Sequence, residues 1–261
     1  MNLIFEMLIS ILGLFLFLFL AFIVGTLKKD NSIIDIFYGL GYLVLIWISL
    51  ILSYDFSLRK IIISICVSIW GLRLAIYVMI RNWGKPEDYR YQAIRRKMGD
   101  KAILKSFYRI YLFQGLIIFL VGFPELFANL SINPILNWLD IVGIVLWITG
   151  FYFEMIGDYQ LRKFLKNPEN KGKVMDQGLW KYTQHPNYFG EVLMWWSLYL
   201  LVINVPYGFF TIFGPIIINF MIIKVSGVRL LNKRFEKDDK YADYKKRTSA
   251  FIPWFQKKKN E

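Results

Sequence analysis

Apolar positions in this chain run on without interruption for far longer than a strand or a soluble amphipathic helix requires. From Leu3 to Leu27 the only charge is Glu6, and comparable stretches follow near 33–53, 61–80, 108–127, 138–157, 187–205 and 207–225. A hydrocarbon core roughly 30 Å thick needs about 20 apolar residues per helix, so the pattern predicts seven membrane spans. Turn signals separate them: Lys28-Lys29-Asp30-Asn31, Asp55, Asn133-Pro134 and Asn204-Val205-Pro206. The first run has neither a basic leader nor a small-residue cleavage site, and is expected to be a retained helix rather than a signal peptide. The predicted fold class is all-α and polytopic. With no Gly/Ser linker, long low-complexity tract or internal repeat, residues 1–261 are expected to form one membrane-embedded domain.

Charge then orients the helices. The 261 residues carry a net charge of +13, which alone would be compatible with nucleic-acid binding. Its distribution favours a membrane reading with no nucleic-acid partner. No lysine or arginine lies between Arg109 and Arg162, or between Lys181 and Lys224. Nine basic residues lie in 81–109, six in 156–186 and twelve in 224–261. Seven spans with the N-terminus outside put all three groups, with Lys28 and Lys29, on one side, leaving only Arg59 and Lys60 in an outer loop. The excess of Lys and Arg marks that side as cytoplasmic, with the C-terminus in. The end Lys257-Lys258-Lys259 reads as a tail near anionic headgroups. Cys66 and His185 are the only residues of their types, so neither a disulfide framework nor a metal cluster is expected.

Ionisable residues inside spans cost about 2.5–3.5 kcal/mol each on insertion scales, so each needs a reason. Asp35 near the start of the second span and Arg73 in the third lie in the same half of antiparallel helices, within reach of pairing. A structural ion pair and a substrate-site role are both open for them. Glu6, near the outer end of the first span, is expected to snorkel. Glu154, Asp158 and Arg162 are spaced four apart and share one face of a helix that continues out of the membrane. An Asp158–Arg162 helix pair would account for two of them but leaves Glu154 unexplained.

The densest polar segment is GLWKYTQHPNYFGEVLMWW, residues 178–196. Pro186 suits the first turn of a helix, where its missing N–H costs nothing. The following turns display Asn187, Tyr188 and Glu191. Free N–H groups at that helix start, flanked by Lys181, Tyr182 and His185, make an anion site. Ordinary interfacial aromatics with a cap are the plainer alternative, but they do not explain Glu191 in an apolar helix. The chain lacks G-x-G-x-x-G and the P-loop, so any nucleotide would bind by another geometry.

The run GLWKYTQHPNYFGE, preceded by DYQLRKFLKNPENKG and followed by KYADYKKRTSAFIPW, resembles the DUF1295 family of membrane proteins. That family is related to the steroid 5-alpha-reductases, and more distantly to the isoprenylcysteine carboxyl methyltransferases and sterol reductases. DNSIIDIFYGLGY, WGLRLA and RNWGKPEDYRYQAIR extend the resemblance over most of the chain. It implies a seven-helix enzyme whose cofactor chamber opens to the cytosol and holds NADPH. Asp158 and Arg162 match the D-x-x-L-R pattern of that chamber, and Asn187, Tyr188 and Glu191 match its Asn-Tyr-Phe-Gly-Glu stretch. Glu154, Tyr182 and His185 join them as expected cofactor-binding residues.

His185-Pro186 departs from the steroid enzymes and is similar to the methyltransferases and sterol reductases. The arginine and histidines of the steroid enzymes' last helical segment have no counterpart near Val228 to Phe235, where Arg229 or Arg234 is expected to take over the phosphates. No motif matches the steroid enzymes' catalytic pair. Asp35 and Tyr38, or Arg73 with Tyr77, are assigned by position only. The resemblance supports three readings, in order: an NADPH-dependent reductase of an enone-type steroid or isoprenoid lipid drawn from the bilayer; an S-adenosylmethionine-dependent methyltransferase; and a non-enzymatic lipid-binding protein.

Overall fold

The computed structural model describes residues 2–228 and 238–257, and among these every regular element is helical. Six helical segments are long and apolar enough to cross a membrane: Leu3–Leu27, Asn31–Leu52, Leu58–Asn82, Ala102–Val121, Trp138–Lys166 and Gly208–Val225. The protein is an integral, multi-pass membrane protein. The stretch expected as the sixth of seven spans is a helix of 17 residues, Pro186–Val202, at the short end of the spanning range.

The packing of the chain divides it into two compact units. The first runs to Leu136 and includes Leu201–Gly214; the second comprises Asn137–Leu200 and the chain from Pro215 onward. In the first unit, α1 (Leu3–Leu27) begins where the Asn2 side chain accepts the Ile4 N–H at 3.0 Å. Its leucines at 8, 12, 16 and 20 are exposed, whereas Ser10, Leu14, Leu18, Ala21 and Gly25 are buried. In water that leucine row would be costly; against lipid it is the solvated face. Glu6 is buried, in contrast to its expected snorkelling position.

Helix α2 (Ile34–Leu52) packs against both α1 and α3 (Leu58–Asn82). The α2–α3 crossing is close because Gly39 meets Gly71: a Cβ on Gly71 would lie 2.6 Å from the Gly39 carbonyl oxygen. Small residues at such crossings let helix backbones approach where lipid gives no hydrophobic drive. Arg59 and Lys60, which the charge reading leaves in an outer loop, are both buried. Arg59 donates to the carbonyls of Pro134 (2.7 Å) and Ile135 (3.3 Å), and Lys60 pairs with Asp55 at 2.9 Å. They are held as loop staples, which explains why they stand apart from the other basic residues.

The fourth span starts earlier than expected. Helix α4 (Tyr89–Met98) leads to α5 (Ala102–Ser106), a π-helical segment Phe107–Leu112 and α6 (Phe113–Val121). Gly122 interrupts the run before α7 (Phe123–Leu130), which carries Pro124 in its first turn. The buried Asn129 amide donates to the Ile46 carbonyl (3.0 Å) and Ser49 Oγ (3.1 Å), tying α7 to α2.

In the second unit, α8 (Trp138–Lys166) opens with a capping box. Asn137 accepts from Leu139 N at 2.9 Å, and Asp140 accepts from Asn137 N at 2.8 Å. At 1.5 Å per residue its 29 residues reach about 43 Å, more than a hydrocarbon core, so one end stands beyond the membrane. Helix α9 is Pro186–Val202, α10 is Phe213–Phe220 and α11 is Asp239–Arg247.

Candidate cofactor site

The site is built in the second unit, where α8 and α9 approach across glycines. A Cβ on Gly150 would lie 2.7 Å from the Gly190 oxygen, and one on Gly157 would lie 3.1 Å from Asn187 N. This contact brings the two expected motifs together. Asn187 Nδ2 donates to Asp158 Oδ1 at 3.0 Å, joining residues 29 positions apart. Asp158 and Glu154 are both buried. The plainer alternative, an Asp158–Arg162 helix pair, is not seen among the described residues, where Arg162 is half-buried. Asn187 Oδ1 is buried without a hydrogen-bond partner among the described residues.

The turn before α9 is held by the C-terminal segment. Gly178 takes φ +59°, a left-handed conformation suited to glycine, and its neighbour Leu179 N donates to Gln160 Oε1 at 2.9 Å. Trp180 Nε1 donates to the Gly157 carbonyl at 3.1 Å. Tyr244 Oη donates to the Trp180 carbonyl at 2.6 Å, and Gln184 Nε2 donates to the Thr248 carbonyl at 2.8 Å. Thr183 Oγ1 donates to the Phe251 carbonyl at 2.7 Å, while Gln184 N donates to the Ser249 carbonyl at 2.9 Å. The two sequence stretches on either side of residues 229–237 therefore form one hydrogen-bonded module. Arg229 and Arg234 lie outside the described residues.

His185 closes this module. It is 1 % exposed, stacks on Tyr188 at 5.6 Å between centroids, and neither ring nitrogen has a hydrogen-bond partner among the described residues. It lines a cleft of about 320 Å³ with Leu161, Phe164, Lys173, Gln184 and Tyr241. Burial first, then the nearby Lys245 charge, pushes the imidazole pKa down to about 4. The ring is therefore neutral at pH 7 and able both to donate and to accept. Tyr182 is exposed and rests edge-on against Phe255; it is not among the residues lining this cleft.

This burial has a measurable consequence. The folded pKa lies below the ordinary value of about 6.5, so the neutral ring's contribution is complete above that value and is lost as pH falls toward 4. Between pH 6.5 and 5 the loss is expected to reach about 2 kcal/mol, at 1.36 kcal/mol per unit. Thermal midpoints of purified protein across this range should fall in the wild type and fall less in His185→Gln. Parallel curves for the two proteins would contradict the burial argument.

The residues expected to act on a substrate lie in the first unit. Asp35 does not pair with Arg73. Its carboxylate accepts from Tyr91 Oη at 2.5 Å and Arg90 Nη2 at 3.1 Å, both on α4. Arg90 also meets Asp88 at 3.0 Å. Arg73 instead lies over the Tyr77 ring at 5.9 Å, and Tyr38 shares a hydrogen bond with Tyr42 at 3.0 Å. Burial, followed by the Asp35 charge, raises the Tyr91 hydroxyl well above the usual phenol range, so it keeps its proton. Sequence reasoning missed Tyr91 and Arg90, although both lie within the RNWGKPEDYRYQAIR stretch.

A helical bundle with wide lipid-facing surfaces and a polar module at one end of α8 and α9 defines a multi-pass membrane protein with a built polar site. Within that class the chain belongs to the family described as "Protein of unknown function (DUF1295)", whose family model matches residues 21–248. It is 28% identical over 188 residues to an uncharacterized protein of Schizosaccharomyces pombe, covering 63% of this chain and 51% of that protein. It is 32% identical over 74 residues to human 3-oxo-5-alpha-steroid 4-dehydrogenase 1, covering 27% of this chain and 29% of the relative. It is 37% identical over 59 residues to the steroid 5-alpha-reductase DET2 of Arabidopsis thaliana, covering 22% of each. The chain thus spans about half the length of the yeast relative and under a third of these two steroid enzymes. No solved structure matches it.

Proposed function

We propose that this protein is a membrane-embedded, NADPH-dependent reductase of an enone-type steroid or isoprenoid lipid. The similarity to 3-oxo-5-alpha-steroid 4-dehydrogenase 1 and to a steroid 5-alpha-reductase supports the reaction class. The observation that carries the reading is the Asp158–Asn187 hydrogen bond. It unites the aspartate of D-x-x-L-R with the asparagine of Asn-Tyr-Phe-Gly-Glu, beside buried Glu154.

The residues present fit a dinucleotide. Asn187 Oδ1 and the His185 nitrogens are buried polar atoms without partners among the described residues, suited to an amide or sugar hydroxyl. Arg162 and Lys173 supply positive charge for phosphate oxygens. NADPH, when bound, would supply the hydride. Asp158 fixes the rotamer of Asn187, which presents its carbonyl oxygen, while Glu191 and Tyr188 on the following turns complete the polar face of α9. The role of polarising a substrate carbonyl is proposed for the residues expected by position, Asp35, Tyr38 and Arg73, with Tyr91 orienting Asp35 through the hydroxyl proton it donates to that carboxylate. In this reading the N-terminus is outside, the cofactor arrives from the cytoplasm and the lipid from the bilayer.

Purified protein in nanodiscs, supplied with a panel of 3-oxo-4-ene sterols and isoprenoid enones, is expected to oxidise NADPH with at least one of them. Asp35→Asn should lower kcat by about 100-fold, within the range of general acid catalysis. Absence of turnover across the panel, together with co-purified S-adenosylhomocysteine, would replace this reading with the methyltransferase.

A further inference from the structure

A second polar cleft, of about 250 Å³, lies in the first unit and takes no part in the proposed reduction. Gly25, Thr26, Lys29, Asn31, Arg95 and Ser106 line it, with Ala102 and Ile103 as its apolar wall. It sits at the end of α1, where exposed Leu27 gives way to Lys28 and Lys29 and where Ile103, Leu104 and Tyr108 are also exposed. Apolar surface on one side and lysines on the other mark the level of lipid headgroups.

The cleft is rich in donors and its acids are already engaged. Glu87 Oε1 accepts from Arg95 Nη2 at 2.8 Å and from Asn31 N at 2.8 Å. Asp30 Oδ1 accepts from Ser32 N at 2.8 Å and from Ser32 Oγ at 2.5 Å. Arg95 Nη2 also donates to the Lys29 carbonyl at 2.6 Å, which fixes the guanidinium against the wall. Its Nε–H remains buried with no acceptor among the described residues. Behind the lining residue Gly25, and not itself in the cleft wall, the buried Tyr111 hydroxyl is likewise without a partner among the described residues. Thr26 and Ser106 add hydroxyls, and the Lys29 ammonium is exposed at the rim. Buried donors lacking acceptors, beside the Lys29 ammonium and a guanidinium shared with Glu87, call for a compact anion with several oxygens.

We propose that this cleft binds a phosphate group, supplied by the headgroup of an anionic membrane lipid whose chains lie along the apolar surface beside it. Lys29 provides the charge at the mouth and Arg95 the fixed fork within, while Ala102 and Ile103 meet the glycerol end.

The test uses the full chain, purified and delipidated in detergent, titrated with dioleoyl phosphatidylglycerol and separately with inorganic phosphate, with bound species counted by native mass spectrometry. Lys29→Gln should weaken phosphatidylglycerol about tenfold, as expected for one charge-assisted hydrogen bond. Ala102→Trp, which fills the cleft without altering charge, should exclude the lipid. Lys171→Gln, an exposed lysine in the second unit, should bind as the wild type does. Binding of inorganic phosphate with the same Lys29 dependence would make free phosphate the source and still support the site. Wild-type affinity for both probes in Lys29→Gln and Ala102→Trp would overturn it, as would equal losses in Lys29→Gln and Lys171→Gln.

Discussion

Gly190→Leu is expected to abolish recovery of monodisperse protein, or to lower its thermal midpoint more than any other single change in the second unit. The reason is backbone rather than side chain. A Cβ at this position would lie 2.5 Å from Glu154 N and 3.0 Å from Glu154 Cβ. Neither atom can turn aside as the end of a flexible side chain would, so α8 and α9 must separate. Overpacking in a well-packed core costs about 1–3 kcal/mol and occasionally more; here the added group is a whole isobutyl against a helix backbone. The separation would also pull Asn187 from Asp158. Size-exclusion thermostability in detergent measures the effect, and a Gly190→Leu protein with a wild-type midpoint would show that the helices do not meet as described.

Asp158→Ala is the second large effect, and it should appear in ligand binding more than in stability. Asp158 is buried and accepts the Asn187 amide at 3.0 Å. Its loss leaves that amide without its carboxylate, so the Asn187 side chain is free to turn and Oδ1 is no longer held in place. A charge-assisted hydrogen bond is worth about 1.5–3 kcal/mol, equivalent to a loss of roughly 10–100-fold in NADPH affinity. Asn187→Leu should produce a similar loss, and the double variant little more than either single one, because the two residues act as a pair. Additive losses measured by calorimetry would contradict the pairing.

The membrane helices were legible because hydrocarbon is an unforgiving solvent. Any chain segment crossing it must satisfy its backbone internally and turn apolar side chains outward, which leaves long runs in the sequence. Their exact limits were less legible. The fourth span begins at Ala102 because a π-helical segment carries the helix through residues 107–112, and it breaks at Gly122, neither of which a hydropathy pattern encodes. Arg59 and Lys60 looked like stray loop charges because their partners are loop carbonyls and a single aspartate.

For the polar residues, motif spacing identified the α8 and α9 faces, but partner choice was decided by tertiary approach. Arg162 was the natural helical neighbour of Asp158, yet glycines at 150, 157 and 190 bring Asn187 within hydrogen-bond distance of it. Arg73 was the obvious cation for Asp35, yet α4 delivers Arg90 and Tyr91 from 55 and 56 residues away. The lacing of Thr183, Gln184 and Tyr244 to opposing segments of the module was invisible for another reason. It runs largely to backbone carbonyls, which every residue carries and no sequence pattern advertises.

The module around Asp158, His185 and Asn187 is proposed to hold a nicotinamide dinucleotide. Native mass spectrometry of the full chain, purified in detergent and incubated with NADPH and S-adenosylmethionine together, decides whether it does. One equivalent of NADPH retained by the wild type and lost in Asp158→Ala is the predicted result. Retention of S-adenosylmethionine instead, or of neither ligand, would contradict it.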